Sequence, residues 1–471
     1  MKSQNRIKLL YFVDREDGRD VEMFLPICFY LREKLNADIK MSIFYDAHQI
    51  KYYKPNIVFL PNTVGAEYYY LIAKLCSERD IPVFALDSEG NFRTDGKFDF
   101  WGYNIGKNYY QEFVCCWSER TRDYLKEKAP KYAEKIVATG NPGVDRYKIY
   151  DFISKEAYLK QKGKENYKYV VGYAAWAFAK IYYPQGKIDM IGYFDGDESR
   201  LETIEPQRKQ VEEVLKFAIE NNPDTLFILK IHPLERKLHE EKRGVNECDN
   251  LEHYENVIIE YDEYNISDLI HICDLWTSFE STTAMEAWLL NKESMIILTD
   301  PNFSPSLKLS KYDEAQPIVD SGEKFQQYFQ QFRLTGRLED FHSQSMRDIR
   351  NKIVAPIFGF SDGMNHLRVM KYLIEVIEQL PERKSTYKTN FRFWLLHYLI
   401  QIGRPIMKIP GVENFWKFKK FKWVFRSYRF INFEQYYREK RPYFKAFYEK
   451  NDLDRKINEE NLLDELTLHN K

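Results

Sequence analysis

The sequence predicts an α/β protein made of two Rossmann-like domains and a C-terminal extension that is rich in basic and aromatic residues. Its 471 residues, 44% of them hydrophobic, exceed what one compact core needs. Short, continuously apolar runs alternate with longer amphipathic segments, which is typical of strands joined by crossover helices. The composition changes past residue 384. We therefore predict three parts, at residues 1–150, 151–383 and 384–471.

In the first domain, six apolar runs predict strands at residues 9–13, 39–45, 57–61, 82–87, 113–117 and 136–139. Because most of these runs are continuously apolar rather than alternating, we expect helices on both faces of a parallel sheet. The polar stretch 147–167, which follows Asn141-Pro142-Gly143, predicts the connection to the second domain.

In the second domain, the predicted strands lie at residues 169–174, 226–231, 257–260, 275–278 and 294–298. Helices are predicted at residues 205–220, near 266–272 and from Ser281 onward. The order of strands and helices is again that of a Rossmann-like domain.

The C-terminal extension is basic. Residues 382–450 contain 17 Lys and Arg against 5 Asp and Glu, a balance of +12, interleaved with Trp, Tyr and Phe. Phe391-Arg392-Phe393-Trp394 and the segment 416–423 show the mixture most clearly. Two interpretations stay open: a surface that lies on an anionic membrane leaflet, or a helical extension that packs across the two domains.

The composition also excludes several classes of protein. With 70 Lys and Arg against 71 Asp and Glu, the chain carries no overall positive field for nucleic acid. The six cysteines show no CxxC or paired spacing, so reduced thiols are expected rather than a zinc site or a disulfide framework. We find neither a signal peptide nor an apolar run of about 18 residues, which predicts a cytoplasmic protein.

Candidate functional residues follow the predicted strands, because open α/β sheets bind ligands at the carboxyl ends of their strands. His232-Pro233 comes directly after the strand at 226–231. A histidine there could donate a hydrogen bond to a phosphate oxygen, with Pro233 restraining the turn. A capping histidine at the start of an ordinary loop is the competing interpretation.

A second group of polar residues lies where the strand at 275–278 runs into a helix. These residues are Ser278, Ser281, Thr282, Thr283 and Glu286. Hydroxyls and backbone N–H groups at a helix start could bind a phosphate. Glu286 lies one turn beyond Thr282 and could accept ribose hydroxyls. Plain helix capping and a solvated glutamate are the competing interpretations.

The third group follows the strand at 82–87 in the first domain: Asp87, Ser88, Glu89, Gly90 and Asn91. Either carboxylate could act as the general base that takes a proton from an attacking hydroxyl, with Gly90 and Asn91 on the acceptor side. A turn rich in Asp, Ser and Gly explains the same residues equally well.

A rival hypothesis places a divalent ion on Asp195-Gly196-Asp197, since an Asp-x-Asp motif can hold a metal against a nucleotide diphosphate. The motif follows no clear strand, so we favour a loop.

With these motifs, the chain resembles the bacterial GT-B glycosyltransferases of surface-carbohydrate synthesis, near the sialyltransferases and Kdo transferases that use CMP-activated ulosonic acids. The family's acidic loop, His-Pro pair and Ser-Ser/Thr pair are similar to Ser88-Glu89-Gly90, His232-Pro233 and Ser281-Thr282. The likeness covers about residues 8–380 and includes the segments 140–146 and 361–363. Because Ser88 stands in the first acidic slot, the base is Glu89 or Asp87, and we favour Glu89.

The resemblance implies a GT-B-like fold with two facing domains and an inverting, metal-independent glycosyltransferase without a cofactor. Glu89 would deprotonate the acceptor hydroxyl, and His232, Ser281 and Thr282 would stabilise the departing phosphate. The implied partners are a nucleotide sugar, a glycan or lipid-linked glycan acceptor and an anionic membrane surface on the inner face of the plasma membrane.

Three alternative functions stay open. The first is a polymerase of the teichoic-acid type that transfers an alditol phosphate from a CDP-activated precursor. The second is a sugar-nucleotide epimerase of the same fold. The third is a non-catalytic scaffold on the membrane.

Overall fold

The computed structural model divides the chain into two compact units. The first comprises Met1–Asn91, Gly96–Tyr150 and Ala355–Lys471, and the second comprises Phe92–Asp95 and Asp151–Val354. The structure describes residues 6–13, 18–43, 46–62, 66–87, 90–92, 107–194, 196–232, 235, 246–261, 263–298, 312–388, 395, 398–399, 402–403, 405–406, 409 and 433–467.

The described strands are β1 (Lys8–Val13), β2 (Asp38–Ile43), β3 (Ile57–Leu60), β4 (Val83–Leu86), β5 (Phe113–Cys116), β6 (Ile136–Ala138), β7 (Tyr169–Ala174), β8 (Thr225–Lys230), β9 (Val257–Glu260), β10 (Leu275–Ser278), β11 (Ser294–Ile297) and β12 (Ile318–Val319). The described α-helices are α1 (Arg19–Leu35), α2 (Gln49–Tyr53), α3 (Glu67–Ser77), α4 (Glu119–Lys128), α5 (Arg146–Ile149), α6 (Lys155–Lys162), α7 (Pro184–Tyr193), α8 (Ile204–Asn221), α9 (Ile266–Ile272), α10 (Thr283–Leu289), α11 (Gly322–Thr335), α12 (Gln344–Phe358), α13 (Asn365–Gln379), α14 (Phe433–Asn451), α15 (Leu453–Glu459) and α16 (Leu462–Glu465). Short 3-10 helices lie at Pro130–Lys135, Pro142–Asp145, Phe178–Tyr182, Glu198–Thr203, Asp249–Leu251, Tyr312–Ala315 and Leu380–Glu382.

The first unit is built on a parallel sheet with the order β2-β1-β3-β4-β5-β6. Helix α1 is buried from Val21 to Leu31 and packs against one face of this sheet. Helices α13 and α14 extend the same core through apolar residues such as Leu367, Phe444 and Tyr448. Ion pairs fasten α14 to α1, with Arg32 to Glu434 at 2.6 Å and Arg441 to Glu33 at 2.7 Å.

The second unit is built on a parallel sheet with the order β12-β11-β10-β7-β8-β9. This is the strand order of Rossmann nucleotide-binding domains when the strands are counted from β7. Strands β7, β8 and β10 are almost wholly buried, because helices cover both faces of the sheet.

The predicted fold class is confirmed: the chain is an α/β protein with two Rossmann-like units and a helical C-terminal region. The chain passes to the second unit after Tyr150, and residues from Ala355 onward group with the first unit rather than with residues 151–354. The two-residue strand β12 was not among the predicted strands. It is too short to leave a pattern in the sequence.

All six cysteines are free and buried, as the spacing predicted. Within the described part of the chain, no helix is both long and apolar enough to cross a membrane.

Candidate nucleotide site in the second unit

The sheet of the second unit reverses its direction of growth between β7 and β10. From β7 the chain adds β8 and β9 on one side, and then returns to add β10, β11 and β12 on the other. Open α/β sheets bind ligands at the carboxyl ends of the strands next to such a switch point. The parallel register aligns Ser278, Ala174 and Lys230, so the loops after β10, β7 and β8 leave the sheet side by side.

His232 lies in the loop after β8, two residues beyond Lys230. Part of the ring is open to solvent, but protein atoms crowd the rest of it. This desolvation, together with the positive charges of Lys180 and Lys230, lowers the pKa of His232 from 6.5 to about 4. At physiological pH the imidazole is therefore neutral and carries one N–H donor. Pro233 lies outside the described residues.

Lys180 belongs to the 3-10 helix that follows β7. Its side chain is buried, and desolvation lowers the pKa of its ammonium group against the opposing influence of Asp189 and Glu235. A cation that has lost part of its water attracts an anion more strongly than one on an open surface. We call Lys180, Lys230 and His232 the basic edge, since all three follow or end the central strands β7 and β8.

Two buried glutamates support the loop that carries Lys180. Glu247 Oε1 accepts hydrogen bonds from the Tyr173 hydroxyl and from the Trp176 backbone N–H, both at 2.8 Å. Glu235 Oε1 accepts from the Ala179 backbone N–H at 2.6 Å. These carboxyl groups therefore hold the backbone of the loop after β7 at two points.

Ser281 and Thr283 lie where β10 turns into α10. Ser281 Oγ accepts a hydrogen bond from the Thr283 backbone N–H at 3.3 Å and lies 3.0 Å from Thr283 Oγ1. Trp276 Nε1 donates to Thr283 Oγ1 at 3.0 Å. Ser281, which precedes the N-cap residue Thr282, thus accepts from the first N–H of the helix, whereas Thr282 makes no side-chain capping bond. A role for these hydroxyls in phosphate binding stays a prediction.

Ser278 and Glu286 complete the predicted set in this unit. Ser278 is buried at the end of β10, and Glu286 is half-buried on α10, one turn beyond Thr282. Strands β8 and β10 flank β7, so their ends lie about 10 Å apart at the usual spacing between neighbouring strands. This distance suits a ligand that spans a phosphate and a ribose.

In the first unit, the loop after β4 is held by its neighbours. Trp117 Nε1 donates to the Asp87 carbonyl oxygen, and Arg120 donates to the Asn91 carbonyl oxygen at 2.6 Å. Asp87, Gly90 and Asn91 are all buried. Ser88 and Glu89 lie outside the described residues, so the choice of Glu89 as the base stays a prediction.

The segments 140–146 and 361–363, which the sequence matched to the same family, meet at the start of α13 in the first unit. The Asp145 carboxylate accepts from the backbone N–H groups of Asn365 and His366, at 3.0 and 2.9 Å. Asp362 pairs with Arg368 at 2.7 Å. Both motifs thus fasten α13, which is a structural role.

The rival metal motif lies in an exposed turn. Asp197 Oδ1 accepts from the Ser199 backbone N–H at 3.1 Å and caps the 3-10 helix that begins at Glu198, while Gly196 adopts a φ of 92°. Asp195 lies outside the described residues. No group of three or more His, Cys, Asp or Glu residues that could hold a metal occurs in the described part of the chain.

Sequence reasoning missed Lys180, Glu235 and Glu247. Lys180 lies in the apolar run Ala177-Phe178-Ala179-Lys180, six residues past the predicted strand at 169–174. A lone lysine in an apolar run at a strand end was a usable signal. The two glutamates left none, since charged residues are almost always exposed.

Comparison with known proteins gives one family match. Residues 197–305 match the family model described as "Capsule polysaccharide biosynthesis protein". The matched segment contains β8, β9, β10 and α10, and with them Lys230, His232 and Ser281. The second unit thus contains a segment similar to capsule polysaccharide biosynthesis proteins. No curated protein matches the chain.

Solved structures with a similar course of the chain include a putative UDP-N-acetylglucosamine 2-epimerase from Listeria monocytogenes, at 12% identity and a TM-score of 0.48, covering 82% of this chain and 99% of that one. The wall teichoic acid polymerase TagF matches at 11% identity and a TM-score of 0.46, covering 79% and 89%. The UDP-GlcNAc 2-epimerase from Neisseria meningitidis matches at 11% identity and a TM-score of 0.44, covering 79% and 100%. Identities this low do not identify a substrate.

Proposed function

We propose that this chain is a glycosyltransferase of surface-polysaccharide synthesis whose second unit binds a nucleotide-activated sugar. The observation that supports this most is the basic edge, in which the charges of Lys180 and Lys230 act on His232 at the ends of β7 and β8, beside the switch point of a Rossmann-like sheet. Lys230 and His232 also fall inside the segment that is similar to capsule polysaccharide biosynthesis proteins.

The basic edge suits the departure of a phosphate. When the bond between sugar and phosphate breaks, negative charge builds up on the leaving oxygen, and fixed cations and N–H donors stabilise that charge. Neutral His232 would donate its N–H, while Lys180 and Lys230 would supply positive charge. We propose that they do so without a metal ion, so that the reaction needs no cofactor.

The remaining predicted residues would hold the rest of the nucleotide. The hydroxyls of Ser281, Thr282 and Thr283 would bind phosphate oxygens, and Glu286 would accept the ribose hydroxyls beside Ser278. The proposed donor is a CMP-activated ulosonic acid and the acceptor a surface glycan or its lipid-linked form. A CDP-activated alditol phosphate could use the same basic edge, and we keep it as the second candidate.

A nucleotide panel tests this proposal. Thermal unfolding of the full chain would be followed with CMP, CDP and UDP, each from 0 to several millimolar. A nucleotide at 100 times its dissociation constant stabilises the folded protein by about 2.7 kcal/mol. We expect CMP to raise Tm and His232→Gln to reduce that rise. A response to CDP alone would favour the alditol phosphate, one to UDP alone an epimerase, and none at all a non-catalytic scaffold.

The acceptor base is proposed from the sequence alone. We propose an inverting reaction in which Glu89, or else Asp87, takes the proton of the acceptor hydroxyl. Glu89→Gln should lower turnover by roughly 10²- to 10⁴-fold and leave nucleotide affinity intact, because a base acts on the acceptor proton. Asp87→Asn is the parallel variant. If both variants keep full activity, neither residue is the base.

We also propose an anionic membrane surface as a partner of the C-terminal extension. Five described helical residues, Leu395, Tyr398, Leu399, Ile402 and Ile406, are 45–67% exposed. Their spacing in the sequence, at i, i+3, i+4, i+7 and i+11, is that of one face of an amphipathic helix. They lie within the stretch 382–450, whose net charge is +12 (17 − 5). An exposed apolar face among cations is typical of a helix that lies on an anionic leaflet.

Vesicle co-sedimentation would test the membrane partner. The full chain should bind phosphatidylcholine vesicles that contain anionic lipid better than vesicles without it, and less well at high salt. The double variant Leu399→Glu/Ile402→Glu should lose about tenfold or more in binding, since each side chain would otherwise bury apolar area. Leu334→Glu is the matched control, because Leu334 is 86% exposed on α11. Equal binding by all three proteins would contradict the proposal.

A further inference from the structure

The loop after β7 differs from a phosphate-binding loop in what its backbone contacts. In Rossmann-like nucleotide sites, backbone N–H groups at the end of the first strand approach the phosphates. Here the Trp176 and Ala179 N–H groups donate to Glu247 and Glu235 instead. Two internal carboxyl groups thus take the place that a phosphate has elsewhere. In this loop, the side chain that could contact a phosphate is that of Lys180.

The two buried glutamates have too few hydrogen bonds to satisfy both oxygens of each carboxyl group. Glu235 is 1% exposed and Glu247 is 0% exposed. In each, Oε1 accepts hydrogen bonds while Oε2 is buried without a partner. A buried carboxylate oxygen without a donor is costly, and the cost falls if the group holds a proton.

Burial makes both carboxyl groups harder to ionise, and the charge of Glu247 adds to this effect at Glu235. Burial raises the pKa of Glu247 to about 7. Burial and then the charge of Glu247 raise the pKa of Glu235 well above its usual value. Two buried carboxyl groups that interact in this way titrate as a pair, and like charges in a dry site do not both ionise at neutral pH.

The charged groups around the pair do not cancel the rise in the pKa of the two carboxyl groups. Arg208 on α8 lowers the pKa of both carboxyl groups, but its guanidinium already pairs with Glu205 and Glu212 at 2.8 and 2.7 Å. Asp249 acts in the opposite direction on Glu235. Among the described residues, the other titratable groups that face the pair include Tyr173 on β7, Cys248 next in the chain, Lys180 in the loop itself and Tyr183 just after it.

We propose that Glu235 and Glu247 are positioning residues of the nucleotide site, which keep at least one proton between them at neutral pH and hold the loop at residues 175–180, through its backbone N–H groups, with Lys180 turned toward the donor phosphate. This inference rests on the proposed function, since it requires that a nucleotide binds at the basic edge. Loss of a proton from the pair puts negative charge beneath the loop, which attracts the Lys180 ammonium and repels the donor phosphate. Nucleotide affinity then falls as the pH rises.

The pH dependence of CMP binding tests the proposal. Calorimetric titration of the full chain with CMP would compare wild type, Glu247→Gln, Glu235→Gln and the control Glu263→Gln between pH 6 and 9. Gln keeps an acceptor oxygen for the loop N–H but cannot ionise. Glu263 is an exposed glutamate of the same unit, paired with Lys162 at 2.7 Å.

A single linked proton changes affinity by up to about tenfold per pH unit. We expect the wild type and Glu263→Gln to lose at least fivefold in CMP affinity between pH 7 and 8.5, beyond any change in Glu247→Gln. Glu235→Gln should resemble Glu247→Gln. Parallel pH profiles for all four proteins would overturn the positioning role.

Thermal unfolding without nucleotide separates this proposal from the proposed function. A carboxyl group whose pKa is raised on folding stabilises the protein at low pH, and that stability is lost as the pH rises from about 4.5 toward 7. Tm of Glu247→Gln minus Tm of wild type should therefore increase over this range. If this difference in Tm increases with pH but CMP does not bind the wild type, the proposed function is wrong, although the pKa of the pair is raised as inferred. If CMP binds and the difference in Tm does not change with pH, the proposed function holds and the inference about the glutamate pair is wrong.

Discussion

Each unit has a cluster of buried carboxyl groups that holds a turn of backbone, Asp145 in the first unit and the pair Glu235 and Glu247 in the second, but only in the first cluster is every carboxyl oxygen paired. Asp145 accepts three hydrogen bonds through its two oxygens, from the N–H groups of Asn365 and His366 and from His366 Nδ1 at 2.8 Å. His366 Nε2 in turn meets the Tyr448 hydroxyl at 2.9 Å. In the second unit, Glu235 and Glu247 each leave one buried oxygen without a partner.

The difference separates a structural cluster from a functional one. A buried polar network in which every member is paired fixes a single arrangement, here the attachment of α13 and α14 to the first unit. Unpaired buried oxygens destabilise the fold, and perturbed carboxyl groups of this kind concentrate where ligands bind. The glutamate pair lies next to the basic edge, whereas the Asp145 cluster lies at a helix start.

The largest effect on stability is expected from Asp145→Ala. The substitution leaves two backbone N–H groups and one ring nitrogen, all buried, without their acceptor. The free energy of unfolding should fall by roughly 3 kcal/mol or more, the usual cost of breaking a buried charged network. Denaturation in urea, followed by circular dichroism, would measure it.

Asp123→Ala is the control for this prediction. Asp123 is an exposed carboxylate of the same unit that pairs with Arg122 at 2.8 Å. Its loss should change the unfolding free energy by at most about 1 kcal/mol. An Asp145→Ala protein that unfolds at the same urea concentration as the control would show that the cluster is not what holds α13.

The next effect is on turnover rather than stability. His232→Ala should lower turnover by roughly 10²-fold, because a donor to the leaving phosphate is lost in the transition state. Unlike Asp145→Ala, the His232→Ala substitution should leave the protein folded. Turnover would be measured as release of CMP from a CMP-activated sugar, and a folded His232→Ala protein with normal turnover would remove His232 from the mechanism.

The sign of the pH effect gives an independent check on His232. Its pKa is lower in the folded chain than in the unfolded one, so the unfolded chain takes up the proton more readily. The stability of the wild type should therefore fall as the pH drops from about 6.5 toward 4, and His232→Ala should lose that component. Tm measured at several pH values in this range would show whether the two curves converge.

Much of the fold could be predicted, because buried parallel strands leave a continuous apolar pattern. The predicted strands at 169–174 and 275–278 match β7 and β10 residue for residue. Helix α14 could not be predicted in this way, because its buried residues leave no distinct pattern in the sequence. Its core residues Phe433, Tyr437 and Phe444 stand among so many exposed aromatics and cations that composition alone pointed equally to a membrane.

The candidate site was predictable only in part. His232 could be located because it directly follows an apolar run, whereas its partner Lys180 lies 52 residues earlier in the chain (232 − 180). Only the pairing of β7 with β8 brings the ends of these two segments together. The burial of Glu235 and Glu247 depends on tertiary packing, and no local pattern records it.

The smallest predicted effect compares one hydroxyl in each cluster. Tyr448→Phe removes the partner of His366 Nε2 and should lower the free energy of unfolding by about 1 kcal/mol, the usual contribution of one buried hydrogen bond.

Tyr173→Phe removes a donor to Glu247, and that hydrogen bond favours the ionised carboxylate. Its cost should therefore be small at pH 6, where Glu247 holds its proton, and should grow as the pH rises through about 7. Both tyrosines have a raised pKa and stay protonated over this range, so the hydroxyls themselves do not titrate. Urea denaturation of both variants at pH 6 and pH 8.5 would measure the four costs. If Tyr173→Phe shows no more pH dependence than Tyr448→Phe, the two clusters are of the same kind, and the contrast between a satisfied network and an unsatisfied one does not hold.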